Sequence, residues 1–302
     1  MKHLFIINPA AGSWDHTQQY REQIRPICEA RGLDYRIEVS SGPGQCREIA
    51  RKAAQTGEEY RIYSCGGDGT LNEIVSGVAG YPNVAVTMFA GGSGNDFIRI
   101  FSDTEPFHQL ERLLDCEEAS FDLMKCNDSY CLNICSVGLD ARIGTDVARY
   151  KRIPMLSGFR AYAVSAIVNT IRGINGHYRV ELNGEIIDRE LALICICNGR
   201  YYGGGFNPVP DADPSDGSLE VLVARDISRW KVLRMIGAYK NGQYAKVPQL
   251  IRRYSTDRVV IHCDGPSSVN LDGELLTAKD VDVRVSGEKL RFFYPKGLRW
   301  KP

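Results

Sequence analysis

The sequence predicts two domains of different class: a parallel α/β domain over 1–124 and a mainly antiparallel β domain, a sandwich, over 125–287. In the first part, short apolar runs alternate with stretches whose apolar residues recur at helical spacing. That alternation is the pattern of a parallel sheet covered by helices. Beyond residue 120, strand-like segments follow one another with hairpin signals between them, the pattern of a sandwich.

Residues 4–7 form an apolar run that stops at Asn8-Pro9, and Ile24, Ile27 and Cys28 then share one helical face. Tyr35, Ile37 and Val39 alternate as in a strand, and 46–54 reads as a helix. Strands are expected at 61–65 and 84–89, with helices at 71–78 and from 95 to 101. In the second part, strands are expected at 121–126, 130–137, 178–182, 191–197, 219–223, 259–263, 281–285 and 290–294. Asn183-Gly184 and Gly287-Glu288 read as hairpin tips, and helices interrupt at 141–172 and 229–239. The segment 288–302 is expected to return to the first domain.

Lys plus Arg and Asp plus Glu each number 37, so the formal net charge is zero, which argues against nucleic-acid binding through bulk charge. The ten cysteines form no CxxC pair and read as buried, reduced residues of a cytosolic protein. The N-terminal apolar run is too short for a signal peptide, and no apolar stretch reaches the roughly 18 residues of a membrane span. Membrane contact is therefore expected to be peripheral.

Gly66-Gly67-Asp68-Gly69-Thr70 lies between a strand and a helix, where glycines let the backbone approach a phosphate and the helix offers free N–H groups. It has no lysine, so it is not a GxxxxGK[ST] loop, and a capped glycine turn is the plain structural alternative. Gly91-Gly92-Ser93-Gly94-Asn95-Asp96 repeats the arrangement after the next strand. Asn8-Pro9-Ala10-Ala11-Gly12 and Ser40 follow the first two strands. In a parallel sheet, all four loops reach the edge where ligands bind.

In the second domain, Asp211, Asp213 and Asp216 crowd one loop before a strand. Oxygen ligands at that density suit Mg²⁺ or Ca²⁺, although Asp, Pro, Ser and Gly also make ordinary turns. Leu271-Asp272-Gly273-Glu274 sets two carboxylates around a glycine and on its own reads as a hairpin tip.

NPAAG, GGDGTLNE, GGSGNDFIR, DPSDGSLEV and LDGE, in that order from Asn8 to Glu274, resemble the diacylglycerol kinase catalytic-domain family, which includes soluble bacterial lipid kinases and, more distantly, sphingosine and ceramide kinases. The resemblance implies an NAD kinase- or phosphofructokinase-like α/β domain. It implies ATP held by Asn8, Pro9, Ala10, Ala11, Gly12, Ser40, Gly66, Gly67, Asp68, Gly69, Thr70, Leu71, Asn72, Ser93 and Asn95. It implies a structural metal, Mg²⁺, at Asp216 with the Asp213 and Leu219 positions contributing, and a water link from that metal towards Asp68. A second Mg²⁺ travels with ATP. Glu274 becomes the general base, Asp272 its positioning partner, and Asp68 a third catalytic group. Ser93 and Ser40 stand where the family usually has threonine, and each keeps the hydroxyl.

Between 141 and 180 lie seven basic residues and one acidic residue, with aromatics interleaved. Arg142, Arg149, Lys151, Arg152 and Arg160 are the candidates for contact with anionic lipid, a solvated helix face being the alternative. The expectation is a cytoplasmic ATP-dependent lipid kinase acting peripherally at the inner membrane surface, with diacylglycerol the leading substrate. Phosphatidylglycerol, a sphingoid base or a polyprenol is the alternative acceptor. NAD kinase, which shares GGDGT, and a non-catalytic nucleotide- or lipid-binding protein are the other classes. The oligomeric state is left open, a homodimer included.

Overall fold

The computed structural model describes every residue except Ser13, Ser93, Asp140, 144–145, 147–163, 166–167, 170–172, 174, 226–227, 229–230, 232–236 and 301–302. The chain divides into two compact units, one of Met1–Leu123 with Gly287–Lys301 and one of Met124–Ser286.

The first unit is built on four parallel strands, β1 (Lys2–Ile7), β2 (Tyr35–Val39), β3 (Tyr60–Gly66) and β4 (Val84–Ala90), in the spatial order β4-β3-β1-β2. Helices α1 (Thr17–Ala30), α2 (Gln45–Gln55) and α3 (Asp68–Val78) connect them. Every residue of β4 is buried, as expected of a parallel strand covered on both faces. A Cβ on Gly77 would strike the Arg47 carbonyl, so this glycine lets α2 and α3 pack closely. The far end of the last strand, β13 (Glu274–Pro295), adds in parallel to β4 through Arg291 and Phe292. Phe97 meets Phe121 and Phe292 edge-on at 5.5 and 5.2 Å between ring centroids. These rings bury the large apolar areas that hold the returning segment in place. Deeper in the sheet, the buried His3 Nδ1 lies 2.9 Å from the Tyr63 hydroxyl.

The second unit is antiparallel. Its long strands β9 (Glu185–Cys197) and β12 (Arg258–Leu271) each pair with β7 (Ile134–Gly138) along one stretch and with β8 (Gly176–Leu182) along another. β10 (Leu219–Arg225) and β11 (Ile251–Thr256) extend the β9 side, and the near end of β13 pairs with β12. Val137, Val180, Ile194, Val221, Ile261 and Val283, from six strands, fill the core between the layers. All ten cysteines are free thiols and nine are buried, as the sequence suggested.

The structure departs from the predicted elements in several places. Residues 95–101 do not start an α-helix: Asn95 takes a left-handed φ of 51° and only a 3₁₀ turn follows at Phe97–Ile100. The segment 130–137 is two strands, β6 (Ser129–Cys131), paired with β5 (Cys116–Cys126), and β7, because Leu132 and Asn133 turn their N–H groups to a side chain. Gly287-Glu288 is not a hairpin; Gly287 has no left-handed φ and β13 runs straight through it. β11 and the polar start of β9 were not expected at all. Asn183-Gly184, by contrast, has the two positive φ values of a two-residue hairpin between β8 and β9. Within the two predicted helical windows, 141–143, 146, 164–165, 168–169, 231 and 237–239 are helical, and most other positions lie outside the described residues.

Candidate active site

In the first unit, the loops after β1, β2, β3 and β4 all leave the same edge of the sheet, because the strands are parallel. Asn8 ties two of them: its amide donates to Thr70 Oγ1 at 3.1 Å, its Oδ1 accepts the Ala10 N–H at 3.0 Å, and its own N–H reaches the Cys65 carbonyl. The loop Pro9–Gly12 is thereby fixed beside the start of α3. The Gly66 carbonyl accepts the N–H groups of Gly91 and Gly92, both at 3.1 Å. The two glycine loops touch so closely that a Cβ on Gly92 would overlap Gly67 Cα. Glycine is needed here for approach rather than for φ.

Helix α3 begins at Asp68, with Gly67 extended before it and no side chain capping it, so the N–H groups of its first turn remain a site for anions. Asp68 also joins the two glycine loops. Its Oδ1 accepts the N–H of Asp96 at 2.6 Å and of Phe97 at 3.3 Å, clamping the GGSGND loop onto the GGDGT loop. Asn95 donates to the Gly92 carbonyl at 3.0 Å, and Arg99 donates to the Gly94 carbonyl while pairing with the buried Asp96 at 3.2 Å. Ser40 is buried, with its N–H on the Ile7 carbonyl.

Two expected contact residues differ in kind from the rest. Leu71 is packed in the core with its N–H on the Gly67 carbonyl, so it offers a ligand no donor. Asn72 is buried too, and its Oδ1 finds no partner among the described residues. Ser93 lies outside the described residues. Glu73 was not foreseen: its two oxygens accept the N–H groups of Gly44 and Cys46, at 2.9 and 3.1 Å, capping α2 from α3. Nor was the ion pair of the buried Asp122 with Lys289, at 2.8 Å. The glutamate of GGDGTLNE was a signal for the first; nothing local marked the second.

In the second unit, Leu271 pairs with Glu274 across a two-residue turn in which Asp272 and Gly273 take φ of 51° and 97°. The Asp272 side chain folds inward. Its carboxylate accepts the N–H groups of Leu132 at 2.7 Å, Asn133 at 3.1 Å and Ile134 at 2.7 Å. Burial pushes its carboxyl up, and the three N–H groups pull it back. Asp272 is thus an anchor, whereas Glu274, next in the turn, is exposed. The Asn133 carbonyl in turn accepts the N–H groups of Asn198 and Gly199. The buried Arg200 follows; burial lowers its pKa, the Asp213 charge opposes that, and its Nε donates to the Ala212 carbonyl at 2.7 Å. A continuous set of contacts therefore joins the Asp272-Gly273 turn to the aspartate loop.

In that loop, Asp213 Oδ1 accepts the Ser215 N–H and hydroxyl, Asp216 Oδ1 accepts the Ser218 N–H, and the Asp213 carbonyl accepts the Asp216 N–H. Asp211 is committed elsewhere, to Arg253 at 2.8 Å. Leu219 is buried at the start of β10. Among the described residues no group of three or more His, Cys, Asp and Glu is placed to hold a metal. The donor set formed by Asp213, Asp216 and their neighbouring carbonyls is nonetheless all oxygen and tightly turned, which fits a hard dication in chemistry.

The fold defines a two-part protein with a glycine-loop α/β unit and an antiparallel β unit, and the comparisons agree with both parts. The diacylglycerol kinase catalytic domain matches residues 2–126, and the YegS C-terminal NAD kinase beta sandwich-like domain matches 133–294. The chain belongs to the family that the YegS C-terminal domain defines, and it carries a diacylglycerol kinase catalytic domain ahead of that domain. A Staphylococcus carnosus protein named "Putative lipid kinase" is 27% identical over 91% of this chain and 90% of its own length. A Staphylococcus epidermidis protein, "Putative lipid kinase SERP0390", is 26% identical over 74% of this chain and 73% of its own. A solved Bacillus anthracis structure, described as a "putative diacylglycerol kinase", shares the fold with a TM-score of 0.77 at 22% identity, covering 98% of this chain and 97% of that one. Family membership supports lipid kinase activity with ATP as phosphate donor.

Proposed function

We propose that this protein transfers the γ-phosphoryl group of ATP to diacylglycerol, giving phosphatidic acid. The observation that carries the kinase part is the clamp of Asp68 on the Asp96 and Phe97 N–H groups. It presses two glycine loops together beside an uncapped helix N-terminus, an arrangement suited to a polyphosphate. Asn8, Gly67 and Thr70 line that edge and hold the phosphates. Ser40, Ser93 and Asn95 are assigned to the same nucleotide by the family motif.

Glu274 takes the proton of the lipid hydroxyl, and its exposure on a rigid hairpin supports that role over Asp272. Asp272 fixes the turn that presents it. A structural Mg²⁺ would be held by Asp216 with the Asp213 and Leu219 positions, and the separate Mg²⁺ that travels with ATP would supply charge neutralisation for phosphate oxygens. The protein's own part is to hold the loops, exclude misaligned phosphates and receive the proton at Glu274.

The proposed setting is the cytoplasmic face of a membrane, reached peripherally. Among the described residues no helix is long and apolar enough to cross a membrane. Arg142, Arg149, Lys151, Arg152 and Arg160 are proposed to meet anionic headgroups there. Of these only Arg142 lies within the described residues, and its guanidinium donates to the Gly173 carbonyl at 2.5 Å.

The test is radiolabel transfer from ATP to a panel of diacylglycerol, phosphatidylglycerol, sphingoid base and polyprenol in mixed micelles, with NAD alongside. Label in diacylglycerol that is lost in Glu274→Ala is expected. Label in NAD alone, or ATP binding without transfer to any lipid, would overturn the proposal.

A further inference from the structure

At one end of the second unit, β9, β10 and β11 frame an open cavity of about 300 Å³. Its floor is Leu191 and Val223, which belong to the hydrophobic core. On its rim Ile186 is 56% exposed, one of four large apolar side chains so exposed among the described residues. Three arginines line it. Arg252 lies over the Tyr254 ring at 5.0 Å and pairs with Glu185 at 3.3 Å. Arg189 and Arg225 also line it, and among the described residues neither guanidinium has a hydrogen bond or ion pair.

The two acids of the same cavity have other neighbours. Glu185 is held by Arg252, and Asp188 lies 3.2 Å from His177 Nε2. Two guanidiniums thus line the cavity without an ion pair among the described residues. A guanidinium presents a rigid fork of donors that matches the oxygens of a phosphate. A free phosphate would use the arginines and leave the apolar floor and Ile186 idle. An amphiphile uses both: its phosphodiester takes Arg189 and Arg225, and its glyceride portion covers Leu191, Val223 and Ile186.

We propose that this cavity binds the headgroup of an anionic glycerophospholipid in the membrane, apart from the residues assigned to phosphoryl transfer. The inference rests on the lipid-kinase reading only in that such an enzyme works at a membrane surface. Docking through the cavity would hold the protein on anionic bilayers while the acceptor lipid is phosphorylated elsewhere on the chain.

The experiment is co-sedimentation of the full chain with vesicles of phosphatidylcholine alone or mixed with phosphatidylglycerol. The wild type is expected to prefer the anionic vesicles, and Arg189→Ala/Arg225→Ala to lose that binding by a factor on the order of 30. Arg189→Ala alone, at an exposed position, is expected to lose a factor of about five. Thermal melting and binding of a fluorescent ATP analogue should be unchanged in both, showing that the fold and the glycine loops are intact. Equal binding of wild type and double variant to anionic vesicles would overturn the proposal. So would release of the wild type by millimolar inorganic phosphate as readily as by added anionic vesicles, which would mark a site for free anions. Phosphotransfer in neutral detergent micelles is followed in parallel. Its absence from the wild type would strike the kinase proposal and not the vesicle readout.

Discussion

The carboxylate of Asp68 accepts the backbone N–H of Asp96 at 2.6 Å, so the one acidic residue of the GGDGT loop is bonded to the next loop. A negative charge in a phosphate-binding loop is ordinarily unfavourable. Here it is offset by two N–H groups, those of Asp96 and Phe97, and it fixes the loop spacing that the glycines permit.

Asp68→Ala is expected to cost about 1.5–3 kcal/mol of stability, the range for a hydrogen bond to a charged group. Asp68→Asn keeps an acceptor oxygen and should melt within a few degrees of the wild type, yet lose most phosphotransfer activity. Melting curves and the micelle assay on the two variants check this. Full activity in Asp68→Asn would show that loop spacing alone, without the charge, is enough.

The Asp272-Gly273-Glu274 turn separates anchoring from chemistry. Removing the Asp272 carboxylate leaves the N–H groups of three buried residues, Leu132, Asn133 and Ile134, without their acceptor. At about 1–3 kcal/mol for each unsatisfied buried group, Asp272→Ala should be severely destabilised. Glu274→Gln should melt like the wild type and lose kcat by about 10²–10⁴, with KM for ATP little changed. Urea denaturation and steady-state kinetics distinguish the two outcomes. A fall in stability for Glu274→Gln comparable to that of Asp272→Ala would refute the division.

What was legible in the sequence follows from what is local. Glycine spacing marked both phosphate-edge loops, where the backbones approach closely. Asp-Gly and Asn-Gly marked turns, because left-handed φ is a local demand. The partner of the Asp272 carboxylate was not legible, since Leu132–Ile134 lies about 140 residues away in the chain and only the β7–β12 pairing brings it near. The start of β9 was hidden for a different reason. Its residues Asp188, Arg189 and Glu190 are exposed, so no apolar alternation announced the strand. Gly287 misled in the opposite sense, a glycine without a turn. The family motif supplied Glu274 and Asp216 where residue chemistry alone left a hairpin tip and an ordinary loop.

Stability should fall with acid through His3. Burial, with the Arg61 charge and the N-terminal amine, pushes its pKa from 6.5 down to about 4. Below pH 6.5 the unfolded chain takes up the proton and the folded chain does not, so stability is fully present above that pH. It is lost progressively as pH falls towards 4, by up to about 3 kcal/mol from this group. Urea midpoints at pH 7, 5.5 and 4.5 for the wild type and His3→Phe check the sign. The variant should be less stable at pH 7, having lost the contact with Tyr63, and should show a shallower dependence on pH. Parallel slopes would place the pH dependence in other groups.

Gly94 and Asp68 should behave as one unit. A Cβ on Gly94 would come within 2.7 Å of Asp68 Oδ2, closer than real contacts allow. Gly94 has no left-handed φ, so Gly94→Ala carries no backbone strain and its cost lies in displacing that carboxylate. The displaced carboxylate loses its hold on the Asp96 N–H, and the loop spacing at the phosphate edge relaxes. Once Asp68 is alanine, the obstacle is gone and Gly94→Ala should be nearly neutral. The double-mutant cycle is therefore expected to show a coupling of about 0.5–3 kcal/mol in stability, and a matching non-additivity in ATP affinity. Strict additivity of the two substitutions in both measurements would mean that the clamp does not set the nucleotide loop.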